Sequence, residues 1–216
     1  MSDNAYYKIV EHYEECLERH GDSFRGVDYP REQEVDIHYR VMLDLIPSGL
    51  TDQVTLLDFG CGASHLYEYL LRHGDGRIAY SGLDISPKFI DLCHAKHPGV
   101  PYYCVDLLRD IPRAPERLPT FDYIVMAGVL TEKRELSQDQ MWEYAQRLLV
   151  AVFDKAKKGI AFNVMSKQVD WERDDLFHLP LDQLAWFLKK KLTRHFVIRN
   201  DYGLYEYTAY VYREPC

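Results

Sequence analysis

Strand-like and helix-like segments alternate along most of this chain, and this alternation limits the folds it can adopt more than any other feature. Short apolar runs typical of buried strands are separated by stretches whose apolar residues lie three and four positions apart, as in amphipathic helices. Strands are predicted at 54–59, 77–84, 102–105, 121–127, 159–165, 196–199 and 205–212. Such alternation predicts a doubly wound α/β fold, in which helices cover both faces of a mostly parallel sheet.

The two ends of the chain modify this pattern. Apolar residues at helical spacing between Tyr6 and Leu17, and again between Val41 and Leu45, predict two helices before the first strand. The last two strands are joined through residues 201–203 by a tight turn, which requires antiparallel neighbours. The sequence therefore predicts seven strands, of which the terminal hairpin strand alone is reversed.

Helix starts are also visible in the sequence. Ser86 precedes Pro87 as a cap precedes proline at the first helical position, and Ser137 with Gln140 has the spacing of a capping box. Residues 164–180 contain no clear periodicity, so we expect a long connection that closes over a bound molecule.

Charge and cysteine content exclude several classes of function. A net charge of −8 over 216 residues disfavours a nucleic acid partner, because phosphate neutralisation needs clustered Lys and Arg. No apolar run approaches the length of a membrane span, and the N-terminus lacks a secretory signal, so a cytoplasmic location without membrane attachment is expected. The five cysteines form no CxxC pair, which argues against a zinc site and against a disulfide framework.

The loop from Asp58 to Ser64 is the strongest candidate for a binding site. In a doubly wound sheet, ligands bind beyond the carboxyl ends of the strands, and Gly60 and Gly62 allow the backbone to approach a ligand closely. Asp84 ends the next strand, at the distance where an acidic residue reaches ribose hydroxyls. The alternatives are a plain strand-to-helix turn for the glycines and a helix-capping role for Asp84.

Four segments together resemble the successive cofactor motifs of class I S-adenosylmethionine-dependent methyltransferases. They are LLDFGCGAS at 56–64, GLDIS at 82–86, the pair Val105-Asp106, and FDYIVMAGVL at 121–130. The seven-stranded sheet with one reversed strand is also the arrangement of that family. The resemblance covers residues 50 to 212 and implies an S-adenosylmethionine cofactor, with S-adenosylhomocysteine as its product and no metal.

The resemblance assigns the cofactor contacts residue by residue. Asp58, Gly60, Cys61 and Gly62 match the loop against the methionine moiety. Asp84 matches the acid that binds the ribose, Ile85 the apolar neighbour of the adenine, and Asp106 with Leu107 the pair at the adenine edge. Ala127, Gly128 and Val129 match the segment beneath the sulfonium. Ser64 departs from the family, which has a third glycine there; we expect slightly wider helix packing at this position.

The acceptor side is less sharply indicated. A hydroxyl acceptor benefits from a nearby base whereas an amine need only be neutral, and the residues leave oxygen and nitrogen methylation both open. Candidate bases are Glu132 and His178, although a solvated loop for Glu132 and a structural role for His178 are the favoured alternatives. The family's use of N-terminal extensions implies that residues 1–50 form a helical lid over a methyltransferase domain at 51–216. Tyr13, Tyr29 and Arg40 of the lid, with Trp171, are the predicted acceptor contacts.

The acceptor class follows by elimination. Neither a basic face nor a docking domain is visible, so a small-molecule acceptor methylated by in-line displacement is expected. The competing hypothesis is a binding module of the same fold, which holds S-adenosylmethionine or serves as a partner subunit without transferring methyl groups. The identity of the acceptor and the oligomeric state are left open by these residues.

Overall fold

The computed structural model describes residues 5–49, 51–74, 76–110 and 115–215, and within these ranges helices and strands alternate as expected. The helices are α1 Tyr7–His20, α2 Glu32–Leu43, α3 His65–His73, α4 Pro87–Lys96, α5 Gln138–Lys155 and α6 Leu181–Phe187. The strands are β1 Val54–Phe59, β2 Ile78–Asp84, β3 Tyr102–Cys104, β4 Phe121–Met126, β5 Ala156–Ser166, β6 His178–Leu179, β7 Phe196–Arg199 and β8 Glu206–Tyr212. Short 3-10 helices at Phe24–Val27 and Pro115–Arg117 and a π-helix at Leu188–Leu192 complete the list.

One sheet carries the fold, with the strand order β3-β2-β1-β4-β5-β8-β7. Strands β1 to β5 pair in parallel, whereas β8 is antiparallel to both β5 and β7. The predicted doubly wound sheet with a reversed hairpin strand is therefore confirmed. The two-residue strand β6, which pairs in parallel with the end of β5, is an addition that the sequence analysis missed.

Hydrophobic residues fill both faces of the sheet. Ile124 and Val125, adjacent on β4, point to opposite faces and are both fully buried. One face packs against α5 and α6 through residues such as Leu149 and Leu184, and the other packs against α2 and α3 through Met42 and Leu66. Burial on both faces explains why the central strands read as continuous apolar runs.

Both predicted helix starts are present. The Ser86 side chain accepts a hydrogen bond from the Phe89 amide at the start of α4, with Pro87 at the first helical position. At the start of α5, the Ser137 hydroxyl accepts from the Gln140 amide while the Gln140 side chain accepts from the Ser137 amide. These caps satisfy amides that have no partner inside the helix.

The long connection predicted at 164–180 is shorter in the structure. Strand β5 continues through Ser166 and β6 begins at His178, so the segment between the strands is 167–177. The prediction failed at its ends because a two-residue strand is too short to show periodicity. No helix within the described ranges combines the length and the apolar character needed to cross a membrane.

Candidate functional site

A cavity of about 480 Å³ opens at the carboxyl edge of the sheet, where β1, β2 and β4 end. This volume lies in the range of ligand pockets, roughly 300–1,000 Å³. Its lining includes every residue that the resemblance assigned to the cofactor: Asp58, Gly60, Cys61, Gly62, Asp84, Ile85, Asp106, Leu107, Ala127, Gly128 and Val129. The four motifs, which are separated in sequence, thus converge on one space.

The loop after β1 brings bare backbone to this cavity. Gly60 has a φ of 76°, and a Cβ atom there would lie 2.6 Å from Cγ2 of Val129. A larger residue would therefore collide with the segment after β4. The amides of Gly60 and Cys61 both donate to the carbonyl of Leu83, which fixes the loop beside the end of β2.

The backbone conformation of Ser64 shows why the family has a glycine at the end of this loop. Its φ is 64°, in the left-handed region that glycine adopts most easily, and its side chain is fully buried. The Ser64 hydroxyl lies 2.6 Å from that of Tyr102 and 3.3 Å from that of Tyr80. Ser64 is therefore accommodated by its left-handed backbone conformation and by contacts with two tyrosine hydroxyls.

Asp84 combines the two roles that the sequence left as alternatives. Its carboxylate accepts hydrogen bonds from the amides of Gly62 at 3.0 Å and Ser86 at 2.9 Å, which ties the glycine loop to the start of α4. A carboxylate has about four acceptor sites, so these two bonds leave capacity for ribose hydroxyls. Burial raises the pKa of Asp84 to about 6, and the amide hydrogen bonds oppose that rise.

Asp58 is a second buried carboxylate at the same edge, with 3% of its surface exposed. The Tyr80 hydroxyl donates to it at 2.8 Å. Burial raises the pKa of Asp58 to about 7, the Tyr80 hydrogen bond lowers it, and the charge of Asp84 raises it further. Two neighbouring buried acids favour the binding of a cationic ligand. A sulfonium nucleoside with an ammonium group is such a ligand.

The third acid, Asp106, shapes the turn after β3. Its Oδ1 atom accepts from the amides of Leu108 at 3.0 Å and Arg109 at 3.2 Å. Three acidic residues therefore stand at the ends of successive strands around the cavity. Their charge and the exposed loop backbone fit S-adenosylmethionine, which carries hydroxyls, an amine and a positive sulfur.

Both predicted bases line the cavity, but their surroundings differ. Glu132 is 8% exposed, and burial with the nearby charge of Asp28 raises the pKa of its carboxyl, while Arg134 lowers it from 3.3 Å away. His178 has both ring nitrogens engaged, since Nδ1 lies 2.7 Å from the Ser166 carbonyl and the Arg173 amide donates to Nε2. Both nitrogens of His178 therefore contact backbone groups, so neither is free to accept a proton from an acceptor.

Of the four predicted acceptor contacts, three line the cavity and one does not. Tyr13, Tyr29 and Trp171 line the cavity. Arg40 does not: it is exposed on α2 and borders a separate depression near Asp44 and Pro47. Position on the helix explains the difference, because His38 and Tyr39 turn toward the sheet whereas Arg40 turns away.

The sequence analysis missed a group of polar residues on the far side of the cavity. His38, Asn163 and Glu206 all line it, and their exposed fractions are 7%, 0% and 5%. A signal was available for His38 and Asn163. His38 shares an apolar stripe of α2 with Val41 and Met42, and Asn163 interrupts the apolar run 160–165.

His12, Cys16 and Asp28 form a set of possible metal ligands that a CxxC pattern does not reveal. His12 and Cys16 lie one turn apart on α1, and Nε2 of His12 lies 3.7 Å from Sγ of Cys16 and 2.7 Å from Oδ2 of Asp28. Asp28 also lines the cavity. The three side chains form a compact polar contact between α1 and the segment that follows it.

Comparison with known proteins agrees with the geometry. Residues 57–151 match the family model described as Methyltransferase domain. The chain is 25% identical over 162 residues to the protein named "Putative methyltransferase Rv1506c" from Mycobacterium tuberculosis, and the alignment covers 74% of this chain and 93% of that protein.

Two solved structures have a similar fold. Magnesium protoporphyrin IX methyltransferase from Synechocystis PCC 6803, with bound S-adenosylmethionine, has a TM-score of 0.64 and 16% identity, and 99% of each chain is covered. The 1,6-didemethyltoxoflavin-N1-methyltransferase of Burkholderia thailandensis, with bound acceptor and S-adenosylhomocysteine, has a TM-score of 0.57 and 16% identity, with 100% of this chain and 92% of that one covered. The sheet order and the motif-lined cavity are thus those of the class I S-adenosylmethionine-dependent methyltransferase fold, and residues 57–151 match its methyltransferase domain.

Proposed function

We propose that this enzyme transfers the methyl group of S-adenosylmethionine to a hydroxyl or amine of a small molecule by in-line displacement. The observation that carries the proposal is a single cavity whose lining joins two groups of side chains. Asp58, Asp84 and the glycine loop form the first group, and Tyr13, Tyr29 and Glu132 form the second. The cofactor, when bound, supplies an activated methyl group on sulfur, so the protein mainly has to align the acceptor and exclude water.

The charge of the cavity lining supports a neutral or cationic acceptor. Asp28, Glu132 and Glu206 line the cavity, with Arg173 among the cations nearby. Carboxylates in the lining, of which Glu132 and Glu206 are buried, disfavour phosphate groups, and the chain as a whole carries a net charge of −8. Hydroxyl and amine groups, by contrast, donate hydrogen bonds to carboxylates. The two similar solved structures are named for small-molecule acceptors, which supports a small-molecule acceptor here.

Residues 1–50 act in this proposal as a lid on the domain formed by 51–216. Helix α1 contributes Ile9 and Tyr13 to the cavity lining. The Tyr13 hydroxyl donates to the Gly128 carbonyl at 3.2 Å, and the Ser86 hydroxyl donates to Glu14 at 2.6 Å. The lid thus rests on the segments after β4 and β2, and it excludes water from the cavity.

Glu132 is the stronger of the two predicted acceptor-site residues. Its raised pKa and its position beside Tyr13 suit either hydrogen bonding to the acceptor or removal of a proton. His178 has the supporting role of fixing the start of β6 against β5, through its bond with the Ser166 carbonyl.

Two measurements test the proposed function. Calorimetric titration with S-adenosylhomocysteine should show one site per chain. The protein is then incubated with methyl-labelled S-adenosylmethionine and a panel of hydroxyl, amine, sugar and phosphonate compounds, with RNA and DNA oligonucleotides as further arms. Label transfer to hydroxyl or amine compounds supports the proposal. Transfer confined to nucleic acid, or to no member of the panel, contradicts it.

A further inference from the structure

Two ionisable side chains from distant parts of the chain meet in the lining of the cavity. His38 lies on α2 and Glu206 begins β8; Nδ1 of His38 is 2.9 Å from Oε1 of Glu206. Their side chains are only 9% and 6% exposed. Burial of ionisable groups opposes folding unless they are paired, so a pair in a ligand cavity points to use in function.

Glu206 is held in place from two sides. The Asn163 side chain donates to Oε2 at 2.6 Å, and the Tyr202 hydroxyl donates to Oε1 at 3.2 Å. Asn163 in turn accepts from the Gly128 amide at 2.8 Å. This network joins the carboxylate to the segment after β4, which the motif resemblance assigns to the sulfonium. Its arrangement fixes Glu206 relative to the reacting centre.

His38 presents its other ring nitrogen without a protein partner. A carboxylate only accepts hydrogen bonds, so the proton of a neutral His38 belongs on Nδ1, beside Glu206, and Nε2 keeps its lone pair. Within the described part of the chain no hydrogen bond to Nε2 is formed, and His38 lines the cavity. Nδ1 lies close to the carboxylate oxygen of Glu206, but the arrangement falls short of hydrogen-bond geometry, a misalignment common in ligand-free sites.

His178 is the informative contrast, because it lines the same cavity with both nitrogens engaged by backbone groups. Tyr29 closes the other side of His38, with its ring centre 4.9 Å from the imidazole. The free nitrogen, the fixed carboxylate and the aromatic wall together make the arrangement that general bases have in hydroxyl chemistry.

We propose that Nε2 of His38 accepts the proton of an acceptor hydroxyl, and that Glu206 is the positioning residue that orients the ring. This inference rests on the proposed function and selects the hydroxyl class within it. The O–H bond breaks, its proton goes to Nε2, and the oxygen lone pair forms the bond to the methyl carbon while the electrons of the carbon–sulfur bond stay on sulfur. The imidazolium is stabilised by Glu206 and returns its proton to water. Glu132 then binds the acceptor without taking its proton.

The first test needs no acceptor. Diethyl pyrocarbonate acylates histidine nitrogens that have a free lone pair, and peptide mass spectrometry separates the sites. In the full-length protein, His38 should react at least tenfold faster than His178, and the variant Glu206→Gln should slow the reaction of His38. Reaction of His38 at or below the rate of His178 would overturn the proposal.

The second test uses a hydroxyl compound that the labelled-methyl panel identifies. His38→Ala should lower kcat by about 10²- to 10⁴-fold. Its dissociation constant for S-adenosylhomocysteine should stay within threefold of the wild-type value, which shows that the variant is folded. Glu206→Gln should lower kcat by about tenfold or more with little change in KM. Added imidazole should partly restore His38→Ala. His20→Ala, an exposed histidine at the end of α1, is the matched control.

The outcomes separate the two proposals. Loss of S-adenosylhomocysteine binding in His38→Ala, with kcat unchanged at saturation, would make the pair part of the cofactor site and overturn the inference alone. Methylation restricted to amines would do the same while the proposed function stands. An empty panel would overturn both.

Discussion

The hydroxyl of Tyr6 lies 2.5 Å from Oδ2 of Asp106, across 100 positions of sequence, and the Tyr7 hydroxyl lies 2.9 Å from the same oxygen. Two neighbouring residues at the start of α1 therefore hold the helix to the turn after β3. Burial and the hydrogen bond to Asp106 raise the pKa of Tyr6. The motif resemblance assigns Asp106 to the adenine edge, so in the proposed function the carboxylate that holds α1 also contacts the cofactor.

Removing the two hydroxyls should loosen the lid. In the double variant Tyr6→Phe with Tyr7→Phe, α1 loses two hydrogen bonds to a charged acceptor, each of which stabilises by about 1.5–3 kcal/mol. We expect trypsin to cut at Lys8 and Arg19 several-fold faster than in wild type, as followed by mass spectrometry. Tyr103→Phe, on β3 itself, is the control. Equal cleavage in all three proteins would show that these bonds do not hold the lid.

Asp84 should be the most sensitive position for cofactor binding. In Asp84→Asn the amide group offers a donor where the backbone of Gly62 and Ser86 also offers donors, so at least one hydrogen bond is lost together with the charge. We expect the affinity for S-adenosylhomocysteine to fall about 10- to 100-fold, measured by calorimetry. Asp91→Asn, an exposed change on α4, should stay within threefold of wild type. A similar affinity in both variants would remove Asp84 from the cofactor site.

The strands of the sheet were predicted well because the spacing of apolar residues reflects which side chains are buried locally. Strand β1 was predicted at its observed bounds, and the capping box of Ser137 was recognised from spacing alone. The acceptor site was predicted less well. His38 and Glu206 are 168 positions apart, and only the packing of α2 against the start of β8 brings them together. Arg40 failed as a contact for a related reason, since helix rotation decides which residue of three neighbours faces the cavity.

The capping box gives a prediction about stability. Ser137→Ala removes the acceptor for the Gln140 amide while the Gln140 side chain still caps the Ser137 amide. We expect the free energy of unfolding to fall by about 1 kcal/mol, which corresponds to a Tm lower by roughly 2–4 °C. Urea titration and thermal melting measure the change. Glu143→Ala, an exposed site within α5, is the control and should change stability by less than about 0.5 kcal/mol.

Asp58 should make stability depend on pH. Its pKa of about 7 in the folded protein exceeds the unfolded value of about 3.9, so the protonated form favours folding and this contribution is lost as pH rises from about 4 to about 7. In Asp58→Asn the side-chain oxygen can still accept the hydrogen bond of the Tyr80 hydroxyl, but the side chain never carries a negative charge. Relative to wild type, the variant should therefore gain about 2–3 kcal/mol of unfolding free energy between pH 5 and pH 8 in urea titrations. Asp52→Asn, exposed before β1, should show no such trend, and a flat difference for Asp58→Asn would contradict the buried charge.

The segment 167–177 should respond to occupancy of the cavity. Trp171 is 58% exposed and its ring lies 6.1 Å from that of Tyr205, while both side chains also border the cavity. The first half of the segment is held by an exposed ion pair of Lys167 with Glu172 at 2.8 Å, whereas its second half is hydrogen bonded to the loop after β4 through the Asp175 carbonyl. Exposed ion pairs stabilise weakly, so residues 167–172 are the part that we expect to close over a ligand. We expect S-adenosylhomocysteine to slow trypsin cleavage at Lys167 and Arg173 several-fold, while cleavage at the exposed Lys189, just after α6, proceeds unchanged. Equal cleavage with and without the ligand at all three sites would count against a closing segment.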